Sequence, residues 1–433
     1  MQLTTSKYLN FKYLINLLLS FLPLSFIAGN LIINLNVILI ILLSLFFYGK
    51  KIFSLKFSFL DKLLILFFLF SLMTGIINTF NIFQLNDFNQ NFNIFNKSIV
   101  FFRYLLFYFV IKFLIKEEIF NFKLFFISAS ICSIFVCLDL MLQLFSGKDI
   151  FGNLKTPRKL SGPFGDELIA GSYLQRFSIF IFFLIPSQTG IKNKNILIII
   201  LLLFFSLVFF SLIIAGNRMP LVLFIFILSV FFLSEKKLRS YSIIFIPFLL
   251  IIFFLIFNLN QEVENNARHF LQMVGQLFSF LFEILFQDRS SNFTNTFVNN
   301  TYVEEFISGY LTWQQNFFIG GGIDSYYLNC VEVRKHCASH PHNYYLEVLS
   351  ELGIIGLILT LIILIKILKI SIANKNYLGM SFEKNLITPF FLLFVAEIFP
   401  IKTSGSFFTT GNSTFLFFIL AVIIGLSNRS KYN

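Results

Sequence analysis

Apolar runs of roughly 20 residues, each bounded by polar or charged residues, recur along the chain at about 11–29, 31–48, 60–78, 97–115, 124–145, 167–186, 194–214, 219–234, 241–259, 345–368, 386–401 and 412–427. A helix needs roughly 20 apolar residues to cross the hydrocarbon of a bilayer, so each run predicts one membrane span. The expected fold class is all-α: a polytopic integral membrane protein with about twelve transmembrane helices and one long outer loop. On this pattern residues 1–259 hold helices one to nine, 260–344 form the loop, and 345–433 hold helices ten to twelve. The first run is followed at once by another span and lacks a small-residue cleavage site, so it is expected to stay in the membrane. Within the loop, Phe270 to Phe286 carries a helical apolar stripe with Gln272, Gln276, Ser279 and Glu283 between. That pattern predicts an interfacial helix lying on the membrane.

Composition agrees with the pattern. The chain is 57% hydrophobic and only 12% charged, whereas a soluble domain carries roughly a quarter charged residues and a disordered one fewer apolar residues still. The 66 Phe read as a drift shared by apolar positions, so none is given a separate meaning. A net charge of +12 would point to nucleic acid in a soluble protein. Here most of the Lys and Arg fall on short loops that lie inside when both termini are cytoplasmic, which is the distribution that membrane topology selects. Nucleic-acid binding is therefore rejected, and membrane lipids are the expected surroundings.

Ionisable groups within spans need partners or a water-filled cavity. Arg103, Asp139, Arg176, Arg218 and Glu397 all fall at mid-depth or in the outer half of their spans, a distribution expected of a polar cavity that opens outward. The loop between spans five and six adds Lys148, Lys155, Arg158 and Lys159, followed by Asp166 and Glu167. This cation excess points to an anionic ligand, and guanidinium forks suit phosphate or pyrophosphate.

Three of the four histidines, His336, His340 and His342, lie just before span ten. A neutral imidazole can accept a proton near neutral pH, as a general base must. The same segment, with Cys337, could also ligate zinc or be merely structural. Cys330 and Cys337 are candidate partners for a short disulfide, while Cys132 and Cys137 read as packing residues inside span five. Asp-x-Asp, Walker A, dinucleotide and nucleophile-elbow patterns are missing from the sequence. ATP and nucleotide-sugar chemistry are thereby disfavoured, and an activated, membrane-resident, anionic donor remains, with no cofactor implied.

His342-Asn343, nine residues, then Gly353-Ile354-Ile355-Gly356 resembles the His-Asn-x9-Gly-x-x-Gly pattern of the O-antigen ligase and polymerase superfamily. Ala215-Gly216-Asn217-Arg218 is similar to that family's Ser-Arg, with Asn217 in place of serine. Asn316 to Gly322 is similar to its Asn-Pro-x-x-Gly-x-Gly, with Phe317 in place of proline. The segments Arg158 to Arg176 and Ser404 to Phe408 also resemble members of the group. The resemblance implies a metal-independent glycosyltransferase of the bacterial inner membrane with its active site on the periplasmic side. Its donor would be an undecaprenyl-diphosphate-linked glycan and its acceptor a hydroxyl of lipid A-core, or, in the polymerase type, a further glycan repeat. It also implies catalytic roles for His342 as base and for Arg218 on the diphosphate, with Arg268 or Arg289 as a second phosphate ligand. Arg176, Arg158, Arg103 and His340 are further candidates for substrate binding. A glycolipid transporter or flippase is the rival from another class. Such folds commonly carry paired repeats and midplane sites, whereas the polar groups here lean outward.

Overall fold

The computed structural model describes residues 2–80, 88–156, 159–188, 194–234, 264–265, 268, 272, 301–334, 337–373, 386–403 and 405–429. Among these residues the chain is helical, with no strand beyond an isolated bridge between Lys148 and Leu154. The helices are α1 (Gln2–Ala28), α2 (Asn30–Phe53), α3 (Phe59–Thr79), α4 (Phe88–Phe101), α5 (Arg103–Lys116), α6 (Phe122–Ser146), α7 (Ala170–Phe177), α8 (Ile179–Gln188), α9 (Lys194–Ile214) and α10 (Arg218–Ser234). After them come α11 (Thr301–Gln315), α12 (Tyr326–Val333), α13 (Tyr344–Ala373), α14 (Ile387–Glu397) and α15 (Thr410–Arg429).

Among the described residues eight helices are long and apolar enough to cross a membrane, and three shorter apolar ones span Ala170–Ile185, Arg218–Phe231 and Ile387–Glu397. Of the twelve expected spans, the described residues thus hold eight of full length and three shorter ones. The expected span 167–186 begins only at Ala170 and is divided at Ser178, whose hydroxyl donates back to the Leu174 carbonyl at 2.6 Å. The span at 97–115 falls within one candidate span, Phe92–Lys116, in which α4 and α5 meet at Phe102. The predicted span at 241–259 and nearly all of the predicted interfacial helix at 270–286 lie outside the described residues.

The chain forms two compact units. The first comprises Met1–Ile32, Asn121–Ser290 and Leu378–Ala396. Its longest well-capped helix is α6: the Asn121 side chain accepts from Leu124 N at 3.2 Å at one end, and Gly147 closes the other in the left-handed region. Phe125 and Phe126 of α6, Phe180 of α8 and Phe390 of α14 form one aromatic cluster, with Phe180 4.8 Å from Phe126 and 5.3 Å from Phe390. Abundant Phe thus serves packing, where tilted ring pairs add to the burial of area.

The second unit comprises Ile33–Phe120, Ser291–Tyr377 and Glu397–Asn433. Here α5 lies along α15, with Tyr104 stacked on Phe417 and Gly425 allowing Ile115 close. A capping box between Ser58 and Asp61 starts α3. The same Asp61 carboxylate accepts from Tyr108 at 2.7 Å and Lys112 at 2.5 Å, a fully buried pair that fixes α3 against α5. Losing either charge would strand the other in an apolar setting. In the sequence each of these charged residues lies near a span end and reads singly as a loop charge.

Candidate functional site

The second unit carries the histidine segment. Asn343 is the residue that builds it: its side-chain oxygen accepts from the N–H groups of Tyr345 and Leu346 at 3.0 and 3.2 Å, capping α13. Its amide nitrogen donates to the Pro400 carbonyl at 2.8 Å. Immediately before the cap, His342 sits in the left-handed region with φ 50°, a conformation uncommon for a residue with a Cβ and held here by the bonds on either side. The His340 ring centroid is 4.1 Å from that of His342, and Nδ1 of His340 shares a hydrogen bond of 2.9 Å with Ser339. Beneath the segment, Glu397 pairs with Lys402 and accepts from the Tyr344 hydroxyl at 3.3 Å, all three buried.

The glycine half of the motif has a structural explanation. At Gly353 the backbone leaves helical geometry (φ 65°, ψ −171°), a region open essentially to glycine alone. The break exposes backbone groups of α13, and the segment 317–322 docks on them. Ile354 and Ile355 N–H donate to the carbonyls of Phe317 and Phe318 at 3.0 and 3.3 Å. In return Gly321 and Gly322 N–H donate to Ser350 and Glu351 at 3.1 and 2.8 Å. A Cβ at Gly353 would run into the Phe318 carbonyl. Thus the two glycine-containing motifs of the sequence are two sides of one backbone-to-backbone contact. Farther along, the buried Glu347 of α13 accepts from Phe407 N at 2.5 Å and so ties down the Ser406-Phe407 segment.

A residue that the sequence did not single out meets the histidine. Glu305 on α11 has its Oε1 3.5 Å from Nε2 of His342. Its Oε2 is buried and makes no hydrogen bond among the described residues. Burial pushes the Glu305 carboxyl up to about 7 from its ordinary 4.5. The available signal was the Glu304-Glu305 doublet, an acidic pair in a loop that is otherwise read for its histidines. Cys330 and Cys337 are joined in a disulfide with Cα atoms 6.0 Å apart, just ahead of this segment. Cys337 is therefore not a thiolate, and among the described residues no group of three His, Cys, Asp or Glu could hold a metal ion.

The arginine segment is built in the first unit. Gly216 (φ 68°) ends α9, Arg218 opens α10, and Asn217 between them fastens a neighbouring loop. Its side chain donates to the Leu168 carbonyl at 2.9 Å and accepts from Gly171 N at 3.2 Å. A Cβ at Gly171 would stand 2.6 Å from that of Asn217, so the contact needs glycine there. The same loop is pinned at Gly162, whose N–H donates to Gln143 at 2.9 Å. Lys159, half-buried on it, has its amine pushed below the ordinary lysine range by burial and then by the Arg218 guanidinium. Two cations held near one another, at a cost to one of them, are what an anionic ligand would relieve.

The other candidates scatter. Arg176 is buried on α7. Arg103 stacks 4.5 Å over the Tyr104 ring and donates to the Val100 carbonyl and to Thr410. Arg268 is exposed and pairs with Glu264 one helical turn away, a local interaction of small value. Arg158, Arg289 and His336 lie outside the described residues.

These features define a multi-pass helical membrane protein that carries an imidazole and a carboxylate within reach of each other in one unit and clustered cations in the other. The sequence model of the family described as O-Antigen ligase matches residues 200–361, a stretch that contains both Arg218 and His342, and the resemblance to the O-antigen ligase and polymerase superfamily holds. The match supports an O-antigen ligase-like role in surface polysaccharide assembly. No curated protein matches the chain.

Proposed function

We propose that the chain is an inner-membrane glycosyltransferase that moves a glycan from undecaprenyl diphosphate to a sugar hydroxyl of lipid A-core. The observation that carries this reading is the family match over 200–361, because the histidine motif and the arginine motif both fall within it. In the proposed orientation both termini are cytoplasmic and the segment with α11, α12 and His342 is periplasmic.

A sugar on diphosphate already has a good leaving group, so the protein must orient the acceptor, accept its proton and offset the charge that develops on the departing phosphate. His342 takes the proton from the acceptor hydroxyl as its oxygen attacks the anomeric carbon. The bond between that carbon and the phosphate oxygen breaks, and undecaprenyl diphosphate leaves. Arg218, which stays protonated and can form paired hydrogen bonds, receives the diphosphate together with Lys159.

The surface glycan profile of a strain deleted for this protein tests the reading. Full-length glycan missing from lipid A-core, with uncapped core accumulating, is expected of a ligase. A single attached repeat would instead assign the polymerase reaction. Transbilayer movement of lipid-linked glycan by the purified protein, without transfer, would assign a flippase.

A further inference from the structure

Glu305 is brought to His342 by construction. Along α11, Glu305, Ser308, Gly309 and Thr312 share one helical face, and Ser308 and Thr312 are buried on it. Small and polar side chains stand where a packing stripe would ordinarily be apolar. Gly309 lets α11 approach the histidine segment: a Cβ there would lie 3.0 Å from Cβ of Pro341 and 3.2 Å from that of Leu346. Arg334 fastens α11 by donating to the Glu304 carbonyl and the Ser308 hydroxyl at 2.8 and 2.9 Å. Both members of the pair stay open to a ligand, with 34% of the His342 side chain and 22% of that of Glu305 exposed. A carboxylate present only to hold the fold would have both oxygens satisfied, which Glu305 does not.

We propose that Glu305 is the positioning residue for His342: its Oε1 holds the Nε2–H edge of the imidazole and so presents Nδ1 to the acceptor hydroxyl. This rests on His342 being the base. The acceptor proton passes to Nδ1 as the oxygen bonds to the anomeric carbon, the electron pair of the breaking bond goes to the diphosphate, and the imidazolium is held against the carboxylate. The 3.5 Å separation is longer than a hydrogen bond and tightens when acceptor binds, as catalytic contacts commonly do. The titratable and charged groups around the pair are His340, whose ring centroid lies 4.1 Å from that of His342, and Tyr326 on α12, which interacts electrostatically with Glu305 and, beyond it, with Arg334 and Glu347.

The test uses the purified full-length protein in vesicles, with lipid-linked glycan and uncapped lipid A-core extracted from the deletion strain. Glu305→Gln is expected to lower kcat roughly 10- to 100-fold, the loss typical when a group that orients an imidazole is removed, with donor KM unchanged. Its acidic limb of kcat/KM should move to lower pH, since an amide no longer favours imidazolium. Glu305→Asp should recover part of the rate and the wild-type limb. In a His342→Ala background, Glu305→Gln should cost nothing further, because the two act as a unit. Wild-type kcat and limb in Glu305→Gln, or losses that multiply in the double variant, would overturn the proposal. If the Gln variant does not assemble, Glu305→Asp decides: reduced kcat at unchanged donor KM is expected, and wild-type kcat contradicts it. Full activity in His342→Ala would instead overturn the base assignment itself, a different outcome from loss in His342→Ala with none in Glu305→Gln.

Discussion

At the scale of single residues, the carboxyl of Glu305 carries the most testable chemistry. Burial raises it from 4.5 in the unfolded chain to about 7 in the fold. A group raised in this way binds its proton more tightly when folded, so its contribution to stability is full below 4.5 and is lost as pH rises through 7. Thermal melts of the solubilised protein from pH 4.5 to 7.5 should therefore show wild type losing ground to Glu305→Gln as pH rises. A constant difference between the two across that range would contradict the buried carboxyl. The histidine was legible in the sequence because its neighbours form a motif, and Arg218 because a charge at a span end is conspicuous. Glu305 was not legible: its meaning depends on which face of α11 meets Pro341, and that is set by Gly309, a single residue without periodicity of its own. Lys159 could be read as one of four loop cations, yet only the loop's attachment through Asn217 and Gln143 brings it within electrostatic reach of Arg218.

At the scale of elements, the breaks matter more than the helices. Apolar length announces a span, but it is blind to an interruption inside the run: Phe102 and Ser178 are ordinary helix residues, and Gly353, though a weak helix former, does not interrupt an apolar run by itself. The break at Gly353 exists because the 317–322 segment supplies hydrogen-bond partners to the opened backbone. Gly353→Ala should accordingly destabilise the protein by on the order of 1–3 kcal/mol through the forbidden backbone region alone, and more through the clash with the Phe318 carbonyl. A lowered melting temperature together with reduced transfer is the expected measurement; a variant as stable as wild type would show that α13 can run through unbroken. The sequence presented Gly353-x-x-Gly356 and Gly320-Gly321-Gly322 as separate motifs, and spacing could not reveal that one is the receptor for the other. The Asn343 cap, by contrast, follows the usual preference for Asn at a helix start and could be read directly.

At the scale of the whole molecule, the all-helical, multi-pass character followed from composition and apolar length, and the comparison with the O-antigen ligase family agrees with the motifs. The length of individual spans was less legible, because shorter apolar helices such as α7, α8, α10 and α14 look in sequence like full spans when read with their flanks. The chain's two units divide the candidate chemistry, with the imidazole and carboxylate built into one and the clustered cations into the other. His342 is proposed to accept the proton, and Arg218 and Lys159 to bind the leaving group. The proposed activity is transfer of a lipid-linked glycan with His342 as base. The direct measurement is transfer in vesicles by purified wild type and His342→Ala, each checked for assembly and for the Cys330–Cys337 disulfide. Wild type should form capped lipid A-core without added nucleotide, and His342→Ala should lose roughly 100- to 10,000-fold of that rate. Equal rates in the two proteins, or no transfer by an intact wild type, would contradict it.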